Sequence, residues 1–278
     1  MQIKANAHAK INWALDIVGR RANGYHELDM VMQRIDLCDV MTFENADAVT
    51  LTVDGAPAGD ENLVVRAARA LGAHAGTAHG AAMTLEKHIP ARAGLGGGSA
   101  DCALTLRALN RLWGLGLSEA ELTDIGARLG ADVPFCLTDG LARVTGIGER
   151  IAPVPNAPRV PLALITPGGG LGTAEVFSRW DEGGFPPVRL DAPGLIDALL
   201  RRDLAAADRL CANALTAPAI ELMPEIGRLI QCFRALGADA AFMTGSGSTV
   251  VAAFQSESAA RRAAARVPGA IVTYTRPS

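Results

Sequence analysis

A chain of 278 residues has room for one large domain or two of ordinary size. Its composition, 49% hydrophobic and 20% charged, suits a globular protein with a substantial core, and 26 basic against 29 acidic residues leave −3, so no overall basicity points to a nucleic-acid partner. The five cysteines carry no CxxC spacing, which argues against a zinc site or a disulfide framework and fits a reducing cytoplasm.

The opening segment, MQIKANAHAKINWALDIVG, lacks the basic-then-apolar layout of a signal peptide, and no apolar run reaches the roughly 18–20 residues of a membrane span. A cytoplasmic protein without a membrane partner is expected, as a monomer or a homodimer. Near-alternation in KINWALDIV predicts one or two strands through residues 1–18, closing on Gly19. Asn23-Gly24 marks a turn, after which VMQRIDLCDVMTFE and AVTLTVDG read as strands, with Met30, Met32 and Met41 on core positions. A helix over 62–73 is capped by Asn62, and AAMTLEKHIP is a strand that stops at Pro90. A glycine loop follows, with Ser99 or Asp101 placed to cap a helix through CALTLRALNRLWG. Ser118 and Glu121 form a capping box for a helix that stops at Gly130.

Residues 131–154 return to strand-like segments, and PVPNAPRVP at 153–161 marks a linker. Beyond it come strand, loop and helix in LALITPGGGLGTAEVFSRW, helices through 192–210 and 221–238, a strand–glycine turn–strand in AAFMTGSGSTVVAAF, then a helix and a last strand. The fold class is α+β in two halves, 1–155 and 156–278, without the alternation of a doubly wound sheet.

The loop with Gly94, Gly96, Gly97 and Gly98 runs straight into a helix. Each glycine loses more conformational freedom on folding than any other residue, so a close approach to the backbone has to compensate. On these residues alone the segment is either a mobile connector or an anion cradle of amides at the positive end of a helix. A Walker A loop is excluded, because Ser99-Ala100 follows Gly98 where lysine is required. A dinucleotide fingerprint fits poorly, since position 99 is serine and no strand with a terminal acid follows on schedule.

PxxxGLGGGS at 90–99 resembles the phosphate loop of the GHMP kinases, which phosphorylate galactose, homoserine, mevalonate and related alcohols. AHAKIN at 7–12 resembles that family's first motif and MTGSGSTVVAAF at 243–254 its third, in the family's order. The resemblance implies a two-domain α+β fold with ATP and an alcohol in an interdomain cleft, and magnesium brought by the ATP phosphates and water. Pro90, Ala91, Arg92, Ala93, Gly94, Leu95, Gly96, Gly97, Gly98, Ser99 and Ala100 would then enclose the ATP phosphates. GRRANGYHELDMVMQRIDLCD, LGADVPFCL and NALT at 213–216 are similar to members acting on a cytidine diphosphate-linked methylerythritol in isoprenoid precursor synthesis.

By that resemblance Asp132 is the catalytic base and Lys10 its cationic partner, with Asn12 beside them; otherwise Asp132 would be an ordinary turn residue before Val-Pro. Tyr25 and His26 would recognise the cytosine, Phe177 would form the opposite face of its slot, and Thr173 and Lys87 would contact the substrate or lie near its groove. The family pattern GLGGGSS-Asn-Ala is GLGGGSADCA here; Asp101 is more comfortable capping the helix than facing phosphates. A relative acting on homoserine or a mevalonate-type alcohol, and a nucleotide-binding regulator without chemistry, are the competing readings; Tyr25-His26 argues against the first and Lys10 with Asp132 against the second.

Overall fold

Strand β1, Gln2–Arg20, is a single unbroken element in this computed structural model, which describes residues 2–22 and 24–278. Its middle is buried on both faces, from Ala9 to Asp16, so apolar residues are needed at almost every position rather than at alternate ones. Lys10, Asn12 and Asp16 are the polar exceptions in that stretch. Buried polar groups are costly unless paired, so they draw attention to themselves. The turn after β1 is closed by hydrogen bonds from Arg21 N to Tyr25 O and from Gly24 N to Arg21 O, with Gly24 at φ 87°. Asn23 of the Asn-Gly pair lies outside the described residues.

The next elements are β2 (His26–Ala46), β3 (Val49–Val53), β4 (Ala56–Pro57), α1 (Leu63–Ala75), β5 (Gly80–Glu86), α2 (Gly97–Leu112), α3 (Glu119–Leu129) and the one-turn α4 (Val133–Cys136). They are followed by β6 (Leu141–Gly146), β7 (Arg150–Val154), β8 (Pro161–Ile165), α5 (Thr173–Asp181), α6 (Ala192–Leu200), α7 (Leu204–Leu210), α8 (Thr216–Leu222) and α9 (Glu225–Ala235). The chain closes with β9 (Ala240–Met243), β10 (Val250–Ala253), α10 (Glu257–Ala264) and β11 (Ile271–Tyr274). Two compact units result, and β1 and β2 run through both.

The first unit holds the chain up to Ala9, Leu37–Ile89 and Gly96–Thr138. Here the second half of β2 pairs antiparallel with β5, from Val40↔Glu86 to Ala46↔Gly80, and β3 lies parallel to β5 on its other side. Helices α1, α2 and α3 bury their apolar faces on this layer, around Met41, Phe43, Leu71, Met83, Leu106 and Ile125. Fully burying each such side chain contributes about 1.5–3 kcal/mol. Local chemistry sets two helix starts as expected: Asn62 Oδ1 accepts from Val64 N at 2.9 Å, and Ser118 and Glu121 form the reciprocal capping box.

The second unit holds Lys10–Asp36, Pro90–Leu95 and Asp139–Ser278. The first half of β2 pairs antiparallel with β6, from Leu28↔Gly146 to Gln33↔Leu141, and β6 with β7. A separate antiparallel sheet runs in the order β11-β8-β10-β9. Trp13 is buried against Phe242, with ring centroids 5.1 Å apart, and its Nε1 donates to Gln33 Oε1 at 2.8 Å. That bond satisfies a polar atom that burial would otherwise strand.

Two expectations need correction. Neither Ser99 nor Asp101 caps α2: the helix starts at Gly97, and its cap residue is Gly96 at φ 68° with no side-chain hydrogen bond. The ADVPFC segment is not strand-like, because Pro134 in the first turn pre-sets helical φ and α4 forms there.

Candidate active site

In the second unit, the segments with the family-like motifs meet around the buried ammonium of Lys10. Lys10 Nζ donates to Asn12 Oδ1 at 2.8 Å and to Gly94 O at 3.1 Å, and Lys10 N donates to Leu95 O at 3.0 Å. Asn12 N in turn donates to Thr244 Oγ1 at 2.7 Å. The glycine loop, β1 and the turn between β9 and β10 are therefore joined by bonds that reach from residue 10 to residue 244.

Glycine is required at this junction for two separate reasons. Gly94 has φ 74°, and a Cβ there would stand 2.4 Å from Thr244 O and 3.0 Å from Gly247 O. Gly245 has φ 58°, and its Cβ would stand 3.0 Å from Gly94 O. The two loops pack backbone to backbone, which only residues without side chains permit. Asn213, in the NALT segment, holds the second loop by donating from Nδ2 to Met243 O at 3.0 Å and Gly245 O at 2.8 Å. The neighbouring Ala214 N donates to Leu15 O on β1 at 2.9 Å. Thr173, the first residue of α5, hydrogen-bonds Ser246 through their hydroxyls at 3.0 Å. Arg92, at φ 54°, accepts from Leu171 N at 3.2 Å, and Pro90, Ala91 and Leu95 line a cavity of about 340 Å³ with Leu164, Thr166 and Gly170.

A second cluster in this unit surrounds His26. Phe177, Trp180 and Asp181 lie at i, i+3 and i+4 on α5, so they share one helix face. Phe177 stacks on the imidazole with centroids 4.8 Å apart and planes at 23°, and Trp180 meets it edge-on at 5.5 Å. His26 Nε2 lies 2.8 Å from Asp181 Oδ1. Tyr25 beside it is 61% exposed.

In the first unit, the start of α2 sits on the segment that follows β5. A Cβ on Gly97 would stand 3.0 Å from Ile89 Cγ2 and 3.5 Å from Lys87 Nζ. A Cβ on Gly130 would stand 3.9 Å from Ser99 Oγ, so the loop serine abuts the turn that presents Asp132. Asp132 is half-buried, precedes α4 with φ −86° and ψ −9°, and does not cap that helix with its side chain.

Lys87 Nζ is shared by two buried carboxylates, bonding Asp39 Oδ2 and, at 2.8 Å, Asp101 Oδ2. Asp39 Oδ1 also accepts from His88 N and Ile89 N, at 2.5 and 2.8 Å. Asp101 is less well served, because its Oδ1 is buried without a hydrogen bond among the described residues. Burial pushes its carboxyl up to about 7 against the pull of Lys87. Lys87 itself is held above its ordinary value: burial opposes its charge, but Asp101 and Asp39 outweigh that. The sequence offered no local sign of this clamp beyond an aspartate inside the apolar run LCDVM.

A raised folded-state pKa means that the folded protein keeps the Asp101 proton after the unfolded chain, near 3.8, has lost it. The group's stability contribution is full below about pH 4, falls as pH rises, and levels off above about 7. Asp101→Asn removes this titration, so wild type minus variant stability should decline by on the order of 1–3 kcal/mol between pH 4 and 7. Urea midpoints at several pH values check it; parallel curves would show that Asp101 titrates normally.

The GHMP kinases N terminal domain matches residues 62–140 and the GHMP kinases C terminal domain matches residues 195–272, and the chain belongs to the GHMP kinase family. It is thus a small-molecule kinase with that family's α+β fold. Among its relatives is the 4-diphosphocytidyl-2-C-methyl-D-erythritol kinase of Pelotomaculum thermopropionicum, 42% identical over 270 residues, or 96% of this chain and 94% of the relative. A crystal structure of a 4-(cytidine 5'-diphospho)-2C-methyl-D-erythritol kinase superposes with a TM-score of 0.84 at 35% identity, covering 99% of this chain and all 100% of that one. A homoserine kinase from Cytophaga hutchinsonii, at TM-score 0.71, 19% identity and coverage of 99% and 94%, shares the fold.

Proposed function

We propose that the protein transfers the γ-phosphoryl group of ATP to the 2-hydroxyl of 4-diphosphocytidyl-2-C-methyl-D-erythritol, giving the 2-phosphate and ADP. The observation that carries this reading is the junction at Lys10, where AHAKIN, the glycine loop and the third motif are bonded together. Full-length relatives bearing that activity supply the substrate. Residues 1–155 act as the N-terminal kinase domain and 156–278 as the C-terminal one, each containing one of the matched ranges.

In this reading Asp132 accepts the proton of the 2-hydroxyl as its oxygen attacks the γ-phosphorus and ADP leaves. The Lys10 ammonium offsets negative charge that develops on the transferred group. Residues Pro90 to Ala100 enclose the phosphates, which the N–H groups left unpaired at a helix start suit. Tyr25 and His26 receive the cytosine, Phe177 walls its slot, and Thr173, Asn12 and Lys87 contact substrate.

Among the described residues no three His, Cys, Asp or Glu side chains gather as a metal cage. In this reading magnesium arrives with ATP, carried mainly by its phosphates and water, with Ser99 near the metal-bound phosphate oxygens. When bound, such an ion screens the charge on the phosphates. No helix of the described residues is long and apolar enough to cross a membrane. A cytoplasmic monomer or homodimer without a nucleic-acid or membrane partner completes the reading.

The test is ADP release from ATP with the diphosphocytidyl alcohol, homoserine or mevalonate as acceptor. Turnover is expected with the first alone; turnover with another alcohol instead, or ATP binding without transfer, would overturn the assignment. Tyr25→Ala should raise KM for the cytidine compound roughly tenfold with little change in kcat, since a base–aromatic stack acts on binding. An unaltered KM would remove Tyr25 from the slot.

A further inference from the structure

His26 is gripped by one face of α5 in a way that defines more than its position. Asp181 Oδ1 lies 2.8 Å from Nε2, while Oδ2 faces the Arg20 guanidinium at 3.6 Å. A carboxylate can only accept, so Nε2 must carry the hydrogen. A neutral imidazole has a single N–H, and Nδ1 is then left as a lone-pair acceptor. Among the described residues Nδ1 makes no hydrogen bond. Phe177 on the face and Trp180 on the edge set the plane in which that lone pair points.

The geometry points to Asp181 as a positioning residue: it fixes the Nε2–H tautomer of His26, so that Nδ1 accepts from the exocyclic amine of cytosine and rejects the carbonyl that uracil carries there. This rests on the reading of His26 as a base-contacting residue. Cytosine and uracil differ at this edge by exchange of a donor for an acceptor. An amine meets the lone pair with a hydrogen bond, whereas a carbonyl meets it acceptor to acceptor and leaves two buried polar atoms unpaired. Without Asp181 the ring is free to adopt the other tautomer, in which Nδ1–H donates to that carbonyl.

Two measurements test the assignment, using wild type and Asp181→Leu. Nitrogen-15 shifts of the His26 ring in the intact protein should report a protonated Nε2 and a bare Nδ1 in wild type, and a mixture in the variant. Steady-state kinetics with the cytidine- and uridine-diphosphate forms of the alcohol should give at least a tenfold loss of cytidine preference in the variant, carried by KM rather than kcat. A wild-type ring already mixed, or a variant with undiminished preference, would overturn the role of Asp181. If wild type turned over neither compound, the functional reading would fall, and the ring shifts would still decide whether Asp181 fixes the tautomer.

Discussion

Asp132→Asn is expected to lower kcat by two to four orders of magnitude while ATP affinity stays within about threefold. The amide matches the carboxylate in shape but cannot take the proton from the attacking hydroxyl. Asp132 occupies an ordinary right-handed conformation and supplies no side-chain cap to α4, so the exchange places no strain on the backbone. A thermal melt run beside the kinetics shows whether a dead variant is still folded. The backbone bond from Cys136 N to Asp132 O is indifferent to the side chain and keeps the turn in place. Calorimetric titration with ATP and single-turnover phosphate transfer separate the two quantities. Near-wild-type transfer would remove Asp132 from the base role and shift attention to Lys10.

The sequence made some features legible and hid others, for reasons of distance along the chain. Asn62 and the Ser118–Glu121 box act within three residues, so their chemistry is written locally and the helices start where it says. The start of α2 is different. Ser99 and Asp101 are better cap residues by type than glycine, yet the cap falls at Gly96, whose φ of 68° favours glycine, and the Asp101 side chain is taken by Lys87. Tertiary packing overrode local preference there. The ADVPFC run is four apolar residues after an aspartate, too short for periodicity to separate strand from helix.

The site divides in the same way. The glycine loops stood out because glycine runs are anomalous wherever they occur, whereas Lys10 and Asn12 stood out only through the AHAKIN motif, a lone lysine in a strand being ordinarily exposed. The acids that orient its cations and imidazole did not stand out. Asp39 meets Lys87 across 48 positions, and Asp181 meets His26 across 155, with no pattern at either end that names the other. Phe177, Trp180 and Asp181 do share a helix face by spacing alone, but nothing local says what that face covers.

Gly94→Ala should be the most damaging conservative change in the glycine loop. At φ 74° an alanine costs about 1–2 kcal/mol in backbone strain alone. Its methyl would also stand 2.4 Å from Thr244 O, 3.0 Å from Gly247 O and 3.2 Å from Gly247 N. These are main-chain atoms, so no rotamer change can relieve the contact, and overpacking adds about 1–3 kcal/mol. The loop cannot simply retreat, since Gly94 O is the acceptor for Lys10 Nζ and is itself approached by Gly245. A loss of roughly 2–5 kcal/mol corresponds to a fall in Tm on the order of 10 °C for a chain of this size, with weakened ATP binding in whatever remains folded. Gly98→Ala is the matched control. Its new methyl would meet only Leu63 Cδ1 at 3.5 Å, inside α2, where alanine is the better helix former by about 1 kcal/mol. Thermal melts of the two variants should therefore move in opposite directions from wild type. If Gly94→Ala melted with wild type, the backbone-to-backbone packing of the two glycine loops would not be what fixes the Lys10 junction.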